Sequence, residues 1–494
     1  MGVPRSYERI KAGLSEFMRG DALRAKATRG GAWLGSGSVA EQAARFGRNI
    51  VLTRLLAPQA FGVMAIVMSC SAIINTLTDV GHSAAVIQNP RGREQAYLNA
   101  GWWMGMCRAI FIYAVIFTMG PWVARFYGNP DLTGLLRVAL LSTLFEGAMS
   151  PRSILPQKDM RFGRWTAISN GGAICGVILT IALSFWLRNV WALAIGACSE
   201  NAFRCLLSYI LCPGLPSLGW DSRAIRDLYR FSKSIAGLSL LNLIFTRTDI
   251  FVLGKLYSTT TLGIYTMGIL LVQTPSGFLT NIMGQTLFPS FSHVQNDTHR
   301  INRILAEATS WLILLGLPAV AAIWLCGRSL LTVIYGARYA PAFGPLSIAA
   351  AVVLLTVLNA AITCLLIGVG RPALHRRAVA VSAVAMLIAI YPACKLFGVI
   401  GAQVAALLAI ILGYLMQVAQ VRGITGLSLT RYAKPFATGA LVSAGILIVG
   451  AAARFFDLAT KPVNNIALGA VTCLIAYALS VPAFVRRRQM AESA

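Results

Sequence analysis

Six arginines lie inside segments that are otherwise apolar, and three of them are spaced so that they could bind an anion. Arg45 and Arg48 lie i+4 and i+7 from Glu41 in the first apolar segment, so a helix would place all three on one face. Arg247 lies in the corresponding segment of the second half of the chain. Because arginine stays protonated and presents a planar fork of N–H donors, this set predicts a binding site for phosphate-type oxygen atoms.

The same side chains could instead brace neighbouring helices by forming ion pairs. Glu41 and Arg45 are four residues apart, as are Glu200 and Arg204, and that spacing suits salt bridges within one helix. For Arg204, bracing and binding are equally supported. For Glu41 we favour a charge-balancing role, whereas for the three candidate arginines we favour anion binding.

Two carboxylates are candidates for coupling to a cation gradient. Asp249 lies two residues from Arg247, and Glu41 lies beside the arginines of the first segment. A partly buried carboxylate can take up a proton or hold a cation, so either residue could couple to H⁺ or Na⁺. Both could also simply balance the arginines.

The composition describes a membrane protein that crosses the bilayer many times. Of 494 residues, 57% are hydrophobic and 12% are charged, and the mean hydropathy is +0.68. The net charge is +26, but the basic residues are scattered over short loops without an aromatic and basic surface module, so nucleic acid is not an expected partner. Anionic lipid headgroups are the expected partners of this charge.

Windows of about twenty apolar residues predict fourteen transmembrane helices. With the N terminus inside, 28 of the 43 Lys and Arg residues lie in cytoplasmic segments or at the cytoplasmic ends of spans, and nine lie in outer loops or at the outer ends of spans, which is a strong positive-inside bias. We therefore expect both termini in the cytoplasm. The predicted spans are 32–53, 61–79, 98–120, 132–150, 164–187, 190–211, 231–252, 262–287, 304–325, 342–367, 377–396, 398–420, 434–454 and 464–485.

The first helical hairpin carries a sequence that is similar to a known family. The run Arg54-Leu-Leu-Ala-Pro-Gln-Ala-Phe-Gly-Val-Met-Ala-Ile-Val67, followed by Asp79-Val-Gly81 and Ala84-Ala-Val-Ile-Gln88, resembles the polysaccharide-transporter (Wzx, WzxC-like) family. Members of that family are lipid-linked oligosaccharide flippases of the MATE-like MOP superfamily. Among them, the rhizobial succinoglycan-type transport proteins are similar in length and character. Beyond the hairpin, the resemblance rests on the number and layout of the spans.

The second half of the chain repeats features of the first. With Gly62 aligned to Gly263, the Arg54-Leu pair corresponds to Lys255-Leu, and both pairs are followed by a six-residue spacer. Span seven, like span one, begins inside. This favours an all-α protein with two parallel six-helix bundles and two additional helices, which is also the MATE/MurJ-like arrangement that the resemblance implies. The expected segments are a cytoplasmic arm 1–30, a bundle 31–211, a linker 212–230, a bundle 231–421 and a final helix pair with a basic tail 422–494.

The arm at residues 1–30 contains no apolar core of the length that a cleaved signal needs. We interpret it as an amphipathic helix on the cytoplasmic leaflet, with a disordered basic tail as the alternative. The cysteines and histidines show no metal-ligand spacing, so no metal site is expected. Without a phosphate-binding glycine loop, no ATPase is expected either.

The arginines and the resemblance together predict a flippase, not an enzyme, that has no catalytic residues and no cofactor. It would move an undecaprenyl-diphosphate-linked oligosaccharide outward across the bacterial inner membrane for exopolysaccharide assembly, alone or with other assembly proteins. Arg45, Arg48 and Arg247 would bind the diphosphate in a cavity between the bundles, which would then rock. The alternatives are a cation-coupled multidrug antiporter of the same superfamily, which would favour an acidic cavity, and a polysaccharide polymerase or ligase, which would need larger outer loops.

Overall fold

The computed structural model of the chain describes residues 35–78, 86–87, 89, 91–159, 161–217, 226, 236–455 and 461–493. The arm 1–30, most of the linker 212–230, and the Asp79-Val-Gly81 part of the hairpin motif lie outside the described residues. In the described part, every regular element is a helix.

Fourteen long helices follow one another in the described part of the chain, and each contains or overlaps one predicted span. We label them α1 35–55, α2 Pro58–Thr78, α3 Gln95–Tyr127, α4 Asp131–Gly147, α5 Phe162–Leu187, α6 Val190–Leu211, α7 Ala236–Leu256, α8 Thr259–His293, α9 Thr298–Ile334, α10 Phe343–Gly368, α11 Pro372–Phe397, α12 Ile400–Thr425, α13 Leu429–Phe455 and α14 Pro462–Ser493.

Nine of the helices in the described residues are long and apolar enough to cross a membrane, and a tenth span results if α4 is joined to the bent segment that follows it. Helices satisfy their backbone hydrogen bonds internally, which lipid demands of any spanning segment. The all-α integral membrane fold is therefore confirmed. The helices α1, α6 and α7 are outside the nine. They carry the charged side chains Glu41, Arg45, Arg48, Glu200, Arg204, Arg247 and Asp249.

The helix ends are fixed by caps that hold the backbone groups left unpaired there. The side chains of Asn189, Ser258 and Asp297 accept hydrogen bonds from the first turns of α6, α8 and α9. Gly128 and Gly426 end α3 and α12 in the left-handed conformation, each with φ +66°. The helix α9 has 37 residues, which is longer than the bilayer core requires.

The chain forms two compact units by its internal contacts, 1–52 with 74–236 and 53–73 with 237–494. In the first unit α5 packs on α6, and α4 packs on both α3 and α6. In the second unit α8 packs on α10, α11 packs on α12, and the last two helices both pack on α9. The segment 53–73 therefore belongs to the second unit. The two six-helix bundles expected at 31–211 and 231–421 remain a prediction.

Small residues let α5 and α6 approach closely. A Cβ on Gly172 would lie 2.8 Å from the backbone nitrogen of Arg204, and a Cβ on Gly176 would lie 2.8 Å from the Cα of Glu200. Two glycines four residues apart form the small-xxx-small pattern that allows membrane helices to pack backbone to backbone. This contact places Glu200 and Arg204 at the α5–α6 interface.

The segment after α4 turns sharply within the first unit. The helical segment Pro151–Lys158 is bent by 76° relative to α4. At the break, the backbone N–H of Ser150 donates to the hydroxyl of Ser208 at 2.9 Å, and the Ser150 hydroxyl donates to the carbonyl of Cys212 at 2.7 Å. The polar groups that the break exposes are therefore satisfied by the end of α6.

The starts of α2 and α8 cross at a reciprocal glycine contact in the second unit. A Cβ on Gly62 would lie 1.8 Å from the carbonyl oxygen of Thr259, and a Cβ on Gly263 would lie 1.8 Å from the carbonyl oxygen of Pro58. Gly62 and Gly263 are 201 positions apart in the sequence, and so are Pro58 and Thr259, so the offset of the repeat converts one contact into the other. The starts of α2 and α8 thus make the same contact in both directions, as two helices related by a local two-fold axis would.

We expect Gly62→Ala and Gly263→Ala each to destabilise the protein, because the added methyl group would overlap a backbone carbonyl that cannot rotate away. Overpacking of this kind typically costs about 1–3 kcal/mol. Thermal unfolding in detergent measures the effect. Since both substitutions disturb one crossing, their effects should not add in the double variant.

Gly284→Ala is the matched control, since Gly284 lies in α8 and its added methyl group would meet no atom within 4 Å. An unfolding midpoint for Gly62→Ala that equals the control's would contradict the importance of the crossing.

Candidate functional site

Four charged side chains of α1 and α6 form one cluster in the first unit, here called the charge cluster: Glu41, Arg45, Glu200 and Arg204. Arg45 donates to Glu41 at 3.0 Å and to Glu200 at 2.5 Å. Arg204 pairs with Glu200 at 2.9 Å and lies 3.7 Å from Glu41. The cluster contains two positive and two negative groups, so it is electrically balanced.

The charge cluster is largely shielded from solvent. The side chain of Glu200 is 13% exposed and that of Arg45 is 28% exposed. Burying a charge is costly unless it is paired, and removing one partner of such a pair leaves the other uncompensated. The structure therefore places Arg45 and Glu41 in ion pairs that join α1 to α6, which is the bracing arrangement that the sequence also allowed.

Sequence reasoning identified both pairs within a helix but not the one between helices. Arg45 and Glu200 are 155 residues apart, and no local spacing connects them. The sequence held one signal for this contact, the glycine pair in α5, since such a pair predicts a closely packed neighbouring helix. In the structure that neighbour is α6, and the face that packs on the two glycines carries Glu200.

Arg48 lies one turn beyond Arg45 and has no carboxylate partner among the described residues. Its Nη2 lies 3.4 Å from the amide oxygen of Asn49, which is a long hydrogen bond. Its Nε is buried without a hydrogen-bond partner in the described residues. Arg48 thus adds one uncompensated positive charge, with unused donors, beside a balanced cluster.

Asp249 of α7 is held by hydrogen bonds within the second unit. The hydroxyl of Tyr265 donates to it at 2.7 Å, and the backbone N–H of Ile250 donates to it at 2.8 Å. Gln403 of α12 in turn donates to the Tyr265 hydroxyl at 2.7 Å. The carboxylate therefore lies at the end of a buried polar chain that connects α7, α8 and α12.

Arg247 is half-buried on α7 and makes no hydrogen bond or ion pair with any residue that the structure describes. Each unit thus contains an arginine to which no carboxylate is bonded among the described residues, Arg48 in the first unit and Arg247 in the second. The prediction that Arg45, Arg48 and Arg247 share one chamber involves both units and remains a prediction.

Two further arginines of the predicted spans are bound locally in the first unit. Arg108 donates to the backbone carbonyl of Asn75 at 2.9 Å. Arg137 lies over the ring of Phe117, 3.9 Å from its centroid, and donates to the carbonyl of the same residue. Within the described residues, no group of three His, Cys, Asp or Glu side chains is arranged to hold a metal ion.

We expect Glu200→Gln to destabilise the protein more than Glu41→Gln, because Glu200 accepts from both arginines at short distance. Removing one partner from a buried ion pair costs about 3–5 kcal/mol, and the partial exposure of the cluster should reduce this. Thermal unfolding at neutral pH measures the difference. Glu94→Gln is the control, since Glu94 pairs with Arg91 at an exposed site. Equal effects of all three substitutions would contradict the proposed bracing.

Comparison with known proteins places these features in one family. Residues 51–344 match the family described as "Polysaccharide biosynthesis protein". The lipopolysaccharide biosynthesis protein WzxC of Escherichia coli is 21% identical over 64% of this chain and 65% of its own length. The succinoglycan biosynthesis transport protein ExoT of Rhizobium meliloti is 24% identical over 63% of this chain and 64% of its own. The alignments thus cover just under two thirds of these relatives.

Solved structures share the fold. The lipid II flippase MurJ in an inward closed conformation superposes with a TM-score of 0.74 at 12% identity, covering 92% of this chain and 99% of that one. An inward-facing multidrug resistance MATE transporter of the MOP superfamily gives a TM-score of 0.58 at 15% identity, covering 78% and 96%. The fold is therefore MurJ-like and MATE-like, and with more than half of its length matched, this chain belongs to the polysaccharide biosynthesis protein family.

Proposed function

We propose that the protein is a flippase that moves an undecaprenyl-diphosphate-linked oligosaccharide outward across a bacterial inner membrane for exopolysaccharide assembly. The observation that carries the proposal is Arg48, a largely buried guanidinium with an unused donor and no carboxylate partner among the described residues. Such a group needs a ligand with negatively charged oxygen atoms, and a diphosphate supplies them. Family membership and relatives named for polysaccharide biosynthesis and transport support the same cargo.

The charge cluster gives this ligand site its selectivity. Because Glu41 and Glu200 already neutralise Arg45 and Arg204, they leave Arg48 as the positive group of this part of α1. Arg247 offers a second guanidinium that is not bonded to a carboxylate in the described residues. Arg48 and Arg247 are thus the primary candidates for binding the diphosphate. Arg45 contributes indirectly, through its location beside Arg48 and the electric field of its charge.

The transport cycle follows from the physical difference between the two parts of the cargo. The diphosphate and sugars are hydrophilic and would enter a basic cavity that opens to the cytoplasm, while the polyprenyl tail stays in lipid. Rocking of the helical bundles would then open the cavity outward. The protein lowers the barrier by replacing water around the charged headgroup with arginines, so it acts as a transporter and performs no covalent chemistry.

A multidrug antiporter is the alternative that the MATE fold leaves open. A cationic drug requires a carboxylate that is free to receive it, and within the charge cluster Glu41 and Glu200 are both engaged by arginines. The arrangement therefore favours an anionic cargo. For a polymerase or ligase, the chain would need catalytic residues on large outer loops, and its predicted outer loops are short.

Asp249 is the candidate for coupling to a gradient. It is held by Tyr265 and a backbone N–H, with no arginine or lysine within ion-pair distance among the described residues. A carboxylate in such a place can exchange a proton or bind Na⁺, and either event would alter the hydrogen bonds that connect α7 to α8 and α12.

Interaction with other polysaccharide assembly proteins would deliver the cargo onward.

We expect Arg48→Ala to reduce transfer of lipid-linked oligosaccharide in proteoliposomes roughly ten- to a hundredfold, the loss of about 1.5–3 kcal/mol of charged hydrogen bonding. Arg247→Ala should act in the same direction, and Arg48→Lys should retain part of the activity, since lysine keeps the charge but loses the planar fork. Arg45→Ala should reduce stability as well as transfer.

The control for these variants is Arg93→Ala, because Arg93 is exposed and its guanidinium is occupied by an ion pair with Asp159. Insertion is verified for each variant before transfer is measured. Unchanged transfer in all three arginine variants would refute the site, and drug extrusion without lipid transfer would favour the antiporter.

We expect an imposed H⁺ or Na⁺ gradient to stimulate transfer by the unaltered protein and to have no effect on Asp249→Asn. The amide keeps the shape of the carboxylate and removes its ability to hold a cation. Glu307→Gln is the control, since Glu307 pairs with Arg303 near the end of a helix. A gradient response that survives in Asp249→Asn would exclude this residue from coupling.

A further inference from the structure

The first unit contains a cavity that is lined by apolar and polar side chains and by no member of the charge cluster. Its volume is about 180 Å³, and it lies between α3, the end of α4 and the start of α5. The 76° bend after α4 opens this space, since the chain leaves the helix direction there. Close packing closes one side, because a Cβ on Gly147 would lie 3.1 Å from the carbonyl oxygen of Gly105.

One arginine and one glutamate face this cavity. The Arg108 guanidinium is fixed by the end of α2, through hydrogen bonds to the Asn75 carbonyl at 2.9 Å and to the Thr78 hydroxyl at 3.3 Å. Glu146 is exposed and also lines the cavity, and its carboxylate makes no hydrogen bond or ion pair with any described residue. The cavity thus offers a positioned donor group and an unused acceptor group.

Two indole rings complete the lining, Trp102 of α3 and Trp165 of α5. Trp102 packs edge-on against Trp103, with ring centroids 5.0 Å apart, which restrains its orientation. Gln157 adds an amide that can donate and accept. Flat apolar rings beside fixed polar groups are suited to a ligand that has an apolar face and a rim of hydroxyl groups.

The charges of the lining select among ligand classes. The Arg108 guanidinium and the Glu146 carboxylate carry opposite charges, so the cavity has no net charge from this pair and offers no net electrostatic gain to a cation or to an anion. A neutral polyhydroxyl ring can use both, because its hydroxyls accept from the guanidinium and donate to the carboxylate. The volume is below the roughly 300–1,000 Å³ of sites for drug-sized ligands, so a single ring fits best.

We propose that this cavity binds one pyranose ring of the carbohydrate headgroup that the protein transports. The inference rests on the proposed function, because that function brings a sugar to the protein. Phosphate-binding arginines cannot distinguish one sugar from another. Directional hydrogen bonds to hydroxyls can, since an analogue that lacks the matching group leaves buried polar groups unpaired.

The test compares two lipids in proteoliposomes, polyprenyl diphosphate without sugar and the same lipid carrying one hexose. We expect Glu146→Gln and Trp165→Leu each to lower transfer of the hexose lipid roughly three- to tenfold, the effect of losing about one contact. Transfer of the sugarless lipid should not change. Arg48→Ala should lower transfer of both lipids, which separates the phosphate site from the sugar site.

Matched controls are Trp186→Leu and Glu94→Gln. Trp186 lies on the same helix as Trp165 and is 84% exposed, and Glu94 belongs to an exposed ion pair. Equal loss for both lipids, or no loss for either, would overturn the proposal. Transfer of neither lipid by the unaltered protein would instead refute the proposed function.

A methyl glycoside that carries a diazirine group provides a direct and independent test. Illumination should label peptides that contain the cavity residues in the unaltered protein, and excess methyl glycoside should prevent this. Labelling should weaken in Glu146→Gln and persist in Trp186→Leu. If labelling occurs in a protein that transfers no lipid, the sugar site stands with a free sugar as its ligand. Labelling by a cationic aromatic probe alone would overturn the proposal.

Discussion

A bilayer offers no water to polar groups, and this constraint governs the structure at each level. Backbone groups find partners only within the chain, so the described elements are helices. Charged side chains must be paired or directed toward a hydrated space. Arg45 and Arg204 meet the first condition through two carboxylates. Arg48 has no such partner in the described residues, and this difference between neighbours on one helix face is the reason for proposing it as the group that binds the ligand.

Close approach of helices depends on small residues at particular places. In the first unit, Gly172 and Gly176 bring the backbones of α5 and α6 together where the charge cluster is anchored. In the second unit, Gly62 and Gly263 make a reciprocal contact at the starts of α2 and α8. Lipid tails are as apolar as leucine, so packing of this kind, not exclusion of water, holds such helices together. The same residue type therefore supports both the site and the crossing.

Sequence patterns predicted most of the fold because apolar length and loop charge are local properties. They also predicted the glycine correspondence between the halves, for which the structure shows a physical contact. The site was only partly predictable. Spacing within a helix identified Glu41 with Arg45, but Glu200 reaches Arg45 from 155 residues away, and the hydrogen bond from Tyr265 to Asp249 joins two helices. The cavity beside Arg108 depends on a bend angle, which composition does not encode.

The proposed selectivity for an anionic cargo would follow from how the charges are distributed, not from their total. At an effective dielectric constant of 20, an uncompensated guanidinium changes the energy of a unit charge at 4 Å by about 4 kcal/mol. An anion gains this energy and a cation loses it, so the two classes differ by several orders of magnitude in affinity. Without Glu41 and Glu200, the three arginines Arg45, Arg48 and Arg204 would repel one another and weaken the helix contacts. With both carboxylates in place, α1 and α6 stay joined, and the remaining positive charge is confined to Arg48, where a diphosphate can use it.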